Sequence, residues 1–188
     1  MKPEEIAKFI KKNIEPLPAI EPYGIRYRVS ASLNDGTSLP CVVIEPVKNI
    51  VKLAMRRFEE EKKGGVKAIL RGGKGDYPEI VKSFVAGGNR VNHYDIASIE
   101  DSRFAIPLSR LKEIKGETAM GWTEFYAIMK DGKEFRFGTT FLTEFFDMPS
   151  GYSATDIEKV VPAIRGEAPR QENIHREKPF FTCYIDRI

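Results

Sequence analysis

Each of the two histidines in the chain is followed, two residues later, by a carboxylate, and this spacing could supply ligands for a metal ion. The first pair is His93 with Asp95, and the second is His175 with Glu177. Alternate residues of a strand share a face, so each pair could offer one imidazole and one carboxylate to the same ion. If the two pairs met in the fold, these four side chains would suit a metal-dependent hydrolase.

A second candidate site is a row of cations on a predicted helix over residues 47–63. Lys48, Lys52 and Arg56 follow one another at i, i+4 spacing on its polar face. Like charges at this spacing repel each other, and an acidic partner would remove that penalty. Three further cations lie close in the sequence, namely Arg57, Arg71 and Lys74. The pattern offers, as an alternative function, a surface for a polyanion or RNA; the other interpretation is an ordinary solvated helix face.

The glycine-rich stretch ILRGGKGDYPEIVKSF, residues 69–84, has some features of a phosphate-binding loop. Nucleotide loops need free backbone N–H groups at a helix start and a lysine followed by Ser or Thr. Here glycine follows Lys74, and Asp76 precedes Pro78 and Glu79 in the pattern of a helix cap. The Asp76 carboxylate would itself accept the amides that a phosphate needs. We therefore interpret the stretch as a connecting turn and predict no cofactor.

Neither cysteine nor any serine has the surroundings typical of a catalytic nucleophile. Cys41 and Cys183 lack a local signature, and the stretch GYSAT lacks the second glycine of a nucleophile elbow. Two cysteines in a chain of 188 residues do not form a disulfide framework, so both are expected to be free thiols. The leading interpretation is a binding or interaction protein, and the sequence leans away from an enzyme.

The composition is that of a globular protein, with 41% hydrophobic and 30% charged residues. The sequence has no apolar run that could span a membrane, and its first residues do not resemble a signal peptide, so we predict a cytoplasmic protein without a membrane partner. The net charge is only +3, but residues 48–90 are basic and residues 91–188 are acidic. This asymmetry could serve an acidic partner, either another protein or nucleic acid, although an ordinary mixed solvated surface shows such a distribution more often.

Two hairpins are predicted, each turning on an Asp-Gly pair. If Asp35 and Gly36 form a two-residue turn, Tyr27 pairs with Ile44 and Val29 with Val42 on an apolar face. The opposite face of this hairpin is expected to meet mostly solvent; its residues are Arg26, Arg28, Ser30, Cys41, Val43 and Glu45.

The second hairpin is predicted to turn on Asp131 and Gly132. A two-residue turn there places Phe125 opposite Gly138, where its ring could cover the gap left by the glycine. The stretch 165–179 is polar, has no apolar periodicity and is interpreted as a connector.

Helices are predicted over 3–14, 47–63, the stretch after Asp76, 107–117 and 154–161. Together with the hairpins and a terminal strand, they indicate an α+β fold with a largely antiparallel sheet, packed by about four to six helices. We predict one domain over residues 1–188, with a hinge in the glycine-rich region 64–88.

Overall fold

The computed structural model describes residues 1–20, 23–63, 88–114, 116–140, 145–186 and 188. These ranges contain three α-helices: α1 (Pro3–Asn13), α2 (Val47–Lys63) and α3 (Leu108–Leu111). The strands are β1 (Pro16–Ile20), β2 (Gly24–Leu33), β3 (Ser38–Pro46), β4 (Ile96–Asp101), β5 (Thr123–Met129), β6 (Glu134–Thr139), β7 (Phe145–Phe146), β8 (Ile157–Pro162), β9 (Ile174–His175), β10 (Glu177–Lys178) and β11 (Phe181–Ile185). Single 3-10 turns cover His93–Asp95 and Ala154–Asp156. Within the same ranges, no helix is long and apolar enough to cross a lipid bilayer.

The predicted fold class is wrong in its helix content and in its sheet type. Four to six helices were expected, whereas the described ranges contain three. The described strands form sheets of five, four and two strands, and the two larger sheets are mixed. They are mixed because β11 pairs in parallel with β3, and β9 pairs in parallel with β6. The helix predicted after Asp76 lies outside the described residues.

The helix predicted over residues 154–161 is absent, and the strand β8 takes its place. The backbone N–H of Ser153 donates to the Asp156 carboxylate over 2.7 Å, so the expected cap is present. The helix does not continue beyond this 3-10 turn, because β8 pairs with β5 and buries Ile157 and Val160. These β-branched side chains favour an extended backbone when a neighbouring strand offers hydrogen bonds.

The first sheet is built around β2. This strand pairs with β3 on one side and with both β1 and β4 on the other, while β11 extends the sheet beyond β3. Helix α1 covers one face of the sheet with Ile6 and Ile10, which are fully buried against the same cluster as Val29 and Ile44. The i, i+4 spacing of the two isoleucines places them on one side of the helix.

The other face of the first sheet is buried as well, which contradicts the prediction that it meets solvent. Cys41 and Val43 pack in one apolar cluster with Phe125 and Phe137 of the second sheet. Arg28 is also buried, and its Nη2 donates to the carbonyl of Ile106 over 2.7 Å. A hairpin sequence shows which residues share a face, but it does not show that a second sheet will cover that face.

The first hairpin turns through three residues, 34–36, and not through the predicted two. Gly36 closes this turn with a φ of 87°, a conformation that favours glycine. The extra residue moves the register by one near the turn, but a bulge between Val29 and Ala31 moves it back. The predicted pairs beyond the bulge are therefore confirmed: Tyr27 with Ile44 and Val29 with Val42.

The second hairpin makes the same kind of turn at residues 130–132, and Gly132 has a φ of 84°. The pairing of β5 with β6 runs from this turn without a bulge, so the shift of one residue persists along the whole hairpin. Phe125 consequently pairs with Phe137 and not with Gly138. The predicted register is wrong here, and both phenylalanines face the core.

Both cysteines are free and buried, which confirms the prediction that they are unpaired. Burial raises the pKa of the Cys41 thiol to about 12, and it raises the pKa of the Cys183 thiol to about 12 as well. A thiol with such a pKa is almost entirely protonated at neutral pH, and the thiolate is the reactive form. The two cysteines are therefore structural residues of the core.

Candidate ligand-binding site

The second sheet, in the order β8-β5-β6-β9, has one face in the core and one face that points away from it. Alternation along β5 and β6 sends Phe125 and Phe137 into the core. The intervening residues Glu124, Tyr126 and Arg136 lie on the opposite face. We call this the outer face of the second sheet.

The chain returns over the outer face directly after β8, through residues 163–170, which we call the strap. At its start, the N–H of Ala163 donates to the carbonyl of Glu124 over 3.0 Å. At its end, the N–H of Arg170 donates to the Tyr126 hydroxyl over 3.0 Å, and the guanidinium of Arg170 lies 5.0 Å from the centre of the Tyr126 ring. The strap is thus attached to β5 at both ends.

A pocket of about 190 Å³ lies between the strap and the outer face. Its floor is formed by Trp122, Glu124, Tyr126 and Arg136, and residues 163–170 form its other wall. The volume is far above the roughly 10–15 Å³ that a single water molecule needs. The pocket is therefore large enough for a small organic molecule.

An ion pair fixes the floor of the pocket. Glu124 accepts hydrogen bonds from Nε and Nη2 of Arg136, over 3.0 and 2.6 Å, and from Nε1 of Trp122 over 2.9 Å. Burial by itself would raise the pKa of the Glu124 carboxyl, but these hydrogen bonds outweigh it and lower that pKa below its ordinary value. The carboxylate is therefore ionised at neutral pH and already engaged by donors. Such a group serves recognition better than proton transfer.

The indole ring of Trp122 lies against Gly138. A Cβ added to Gly138 would stand 2.2 Å from the indole ring, so only glycine allows this contact. The sequence predicted that the ring of Phe125 would cover Gly138. An aromatic ring does cover this glycine, but it is that of Trp122. The guanidinium of Arg176 lies 5.3 Å from the centre of the Trp122 ring. Because this is the sole tryptophan of the chain, all tryptophan emission comes from the pocket floor.

The two predicted pairs of metal ligands lie in different parts of the fold. His93 precedes β4 of the first sheet and makes an edge contact with Tyr94 at 5.5 Å between ring centroids. His175 belongs to β9 of the second sheet and packs at 5.3 Å from the ring of Phe137. Within the residues that the structure describes, no three His, Cys, Asp or Glu side chains are grouped to hold a metal ion.

The carboxylates of these pairs have other partners. Asp95 accepts a hydrogen bond from the side-chain amide of Asn92 over 3.4 Å. Glu177 accepts hydrogen bonds from the hydroxyl of Thr139 and from the backbone N–H of Thr140. Both carboxylates thus stabilise local backbone and side-chain geometry, and they do not form a four-ligand centre with the histidines.

The predicted basic surface lies on α2, whose span Val47–Lys63 agrees with the predicted helix. Lys48, Lys52 and Arg56 are exposed along one side, and we call them the basic ridge. Ile50 on the opposite side is buried. Along the described part of the chain, no carboxylate forms an ion pair with the ridge. Arg71, Lys74 and the side chain of Arg57 lie outside the described residues.

None of the pocket residues was predicted from the sequence as a site. The signal was present in the second hairpin, where Glu124 and Arg136 place opposite charges among the apolar residues of its two strands. A two-residue turn does not place these two charges as neighbours, so the wrong register concealed the ion pair. The strap, residues 163–170, overlaps the stretch 165–179 that was interpreted as a connector.

No protein-family model, curated protein or solved structure matches this chain. A fold class by itself does not determine function, since one architecture can host many unrelated activities. The function is therefore inferred from the geometry of the site.

Proposed function

We propose that this protein binds a small molecule between the strap and the outer face of the second sheet. The observation that carries the proposal is the pocket of about 190 Å³ with an aromatic and ionic floor. Small-ligand sites typically combine aromatic surface with a few polar groups in fixed positions. Trp122, Glu124 and Arg136 are held by hydrogen bonds to one another, and Tyr126 accepts one from the strap. Binding would therefore cost little ordering of the site.

Binding without catalysis is the activity that this geometry favours. Glu124 is the carboxylate of the floor, and three donors already satisfy it. The floor also contains no cysteine or serine that could act as a nucleophile. For the location we propose the cytoplasm, with support from the two unpaired thiols, which are typical of a reducing compartment.

The emission of Trp122 tests the proposal directly. We expect that at least one member of a panel of amino acids, dicarboxylic acids, sugar phosphates and nucleotides changes this emission in a saturable way and raises the melting temperature. Ala168→Leu places a larger side chain in the pocket wall and should abolish both effects. Ala97→Leu makes the same change at an exposed position of β4 and should leave them intact. A panel without any such ligand, or binding unaffected by Ala168→Leu, would contradict the proposal.

A second candidate function is the binding of a polyanion by the basic ridge. The observation in its favour is that Lys48, Lys52 and Arg56 are exposed on one side of α2. Within the described ranges these charges have no carboxylate partner, so they are available to the phosphates of nucleic acid. Such contacts release condensed counterions, which makes affinity fall as salt rises.

The salt dependence of binding to single-stranded RNA tests this second candidate. Each phosphate contact contributes about 0.7 to the slope of log affinity against log salt for a single strand. Replacing Lys48, Lys52 and Arg56 together by alanine should therefore reduce the slope by about two units. The matched control replaces Lys8, Lys11 and Lys12, three exposed cations of α1, and should leave the slope unchanged. Equal slopes for the two triple variants would exclude the ridge.

A further inference from the structure

Arg136 has hydrogen-bonding capacity that the protein does not use. Its side chain is only 14% exposed. A guanidinium carries five N–H groups. Nε and one N–H of Nη2 donate to Glu124, and one N–H of Nη1 donates to the carbonyl of Gln171 over 3.1 Å. One hydrogen therefore remains on each terminal nitrogen, and Arg136 lines the pocket.

The charges around the pocket favour an anion. Three arginines line it, Arg136 on the floor with Arg165 and Arg170 on the strap. Two carboxylates, Glu124 and Glu167, are the acidic groups among the lining residues. Glu124 already accepts three hydrogen bonds from Arg136 and Trp122, and its charge is paired with that of Arg136 before a ligand enters. Arg170 also pairs with Glu134 over 3.3 Å, and Arg176 lies 5.3 Å from the centre of the Trp122 ring. With these two neighbours included, four arginines face three carboxylates, and the unused groups on Arg136 are donors.

From these observations we infer that the ligand carries an oxyanion, a carboxylate or a phosphate group, which Arg136 binds through its two remaining N–H groups. This inference rests on the proposed small-molecule function. Carboxylate and phosphate oxygens match the planar fork of a guanidinium and accept two N–H groups at once. Arg165 at the strap side of the pocket adds attraction for the same charge, whereas Arg170 is already paired with Glu134.

Two anions and one neutral analogue are the probes. Malonate represents the carboxylate source, inorganic phosphate represents the phosphate source, and malonamide has the shape of malonate without its charge. We expect one of the two anions to change Trp122 emission in a saturable way, and malonamide to have no effect. The anion that binds distinguishes the two sources. If malonamide binds as tightly as malonate, the inference is overturned.

Two substitutions on the floor should change the affinity for anions in opposite directions. Arg136→Lys keeps the charge but loses the fork, and we expect it to weaken anion binding by about 10- to 100-fold, the loss typical of charged hydrogen bonds. Glu124→Gln removes the competing negative charge, and we expect it to tighten anion binding. If Arg136 and Glu124 only maintained the shape of the floor, both substitutions would weaken anion binding. Arg103→Lys, on an exposed arginine beside Phe104, is the matched control and should change nothing.

The outcomes separate this inference from the proposed function. If members of the larger panel bind in the pocket but are neutral or cationic, the oxyanion inference fails and the small-molecule function stands. If no probe and no panel member enters the pocket, both fail. Thermal unfolding of each variant shows whether it is folded, and titration of wild-type protein with malonate and phosphate decides the case even if Arg136→Lys does not fold.

Discussion

Replacing Phe125 by alanine is expected to lower the free energy of unfolding by about 3–5 kcal/mol. Phe125 is fully buried. Its ring is stacked on Phe137 at 5.3 Å and meets the edge of Phe146 at 5.6 Å. Truncation would remove this ring from the centre of the core that joins the two sheets, and the surrounding β-strands could not collapse into the space. Urea unfolding followed by circular dichroism measures the loss.

Phe181→Ala is the matched control for this prediction. Phe181 begins β11 and is 38% exposed, so we expect its truncation to cost about 1 kcal/mol or less. The comparison also tests the register of the second hairpin. In the register predicted from a two-residue turn, Phe125 would lie opposite Gly138 rather than Phe137. A loss for Phe125→Ala no larger than that for Phe181→Ala would contradict the observed register.

Gly138→Ala is expected to destabilise the protein by about 1–3 kcal/mol, although it adds only one methyl group. The added carbon would stand 2.2 Å from the Trp122 ring and 2.7 Å from the Ile174 side chain. The indole would have to leave its position against β6, and its hydrogen bond to Glu124 would be strained or lost. We therefore expect a lower melting temperature together with a shift of the tryptophan emission.

Two comparisons isolate the contact with Trp122 as the cause. At Gly88, a new Cβ would have no atom within 4 Å, so Gly88→Ala should be close to neutral. In a Trp122→Ala background, the cost of Gly138→Ala should fall, because the main obstacle is gone. Equal costs of Gly138→Ala in both backgrounds would assign the destabilisation to another part of the structure.

Local sequence patterns correctly predicted the helices and strands that are determined by residues close together in the sequence. Helix α2 has the predicted bounds because apolar residues recur at helical spacing from Val47 to Phe58 and two glycines follow Lys63 in the sequence. The pairing of Val29 with Val42 was predicted from a turn of the wrong length, and it holds only because a bulge compensates. The second hairpin has no such bulge, so the same error about the turn displaced Phe125 by one register position. An Asp-Gly pair predicts a hairpin but does not decide between turns of two and three residues.

The candidate site depends on contacts between distant parts of the chain, and for that reason the sequence did not predict it. The strap meets β5 through the N–H of Arg170 and the hydroxyl of Tyr126, which are 44 residues apart. Nothing in the polar composition of the strap indicates which surface it will cover. The prediction of four to six helices failed for a related reason. The stretch after Ser153 has a helix-capping pattern, but a free edge of β5 recruits it as a strand.

The parallel pairing of β3 with β11 constrains the order of events during synthesis. Strand β3 leaves the ribosome well before its partner Phe181–Ile185, which lies far along the chain from it. Until then, β3 exposes an unpaired edge, and Val42 and Ile44 lack part of their final cover. The first sheet therefore completes its folding only after translation has passed β11. A nascent chain stalled before that point presents an open strand to chaperones and to other nascent chains.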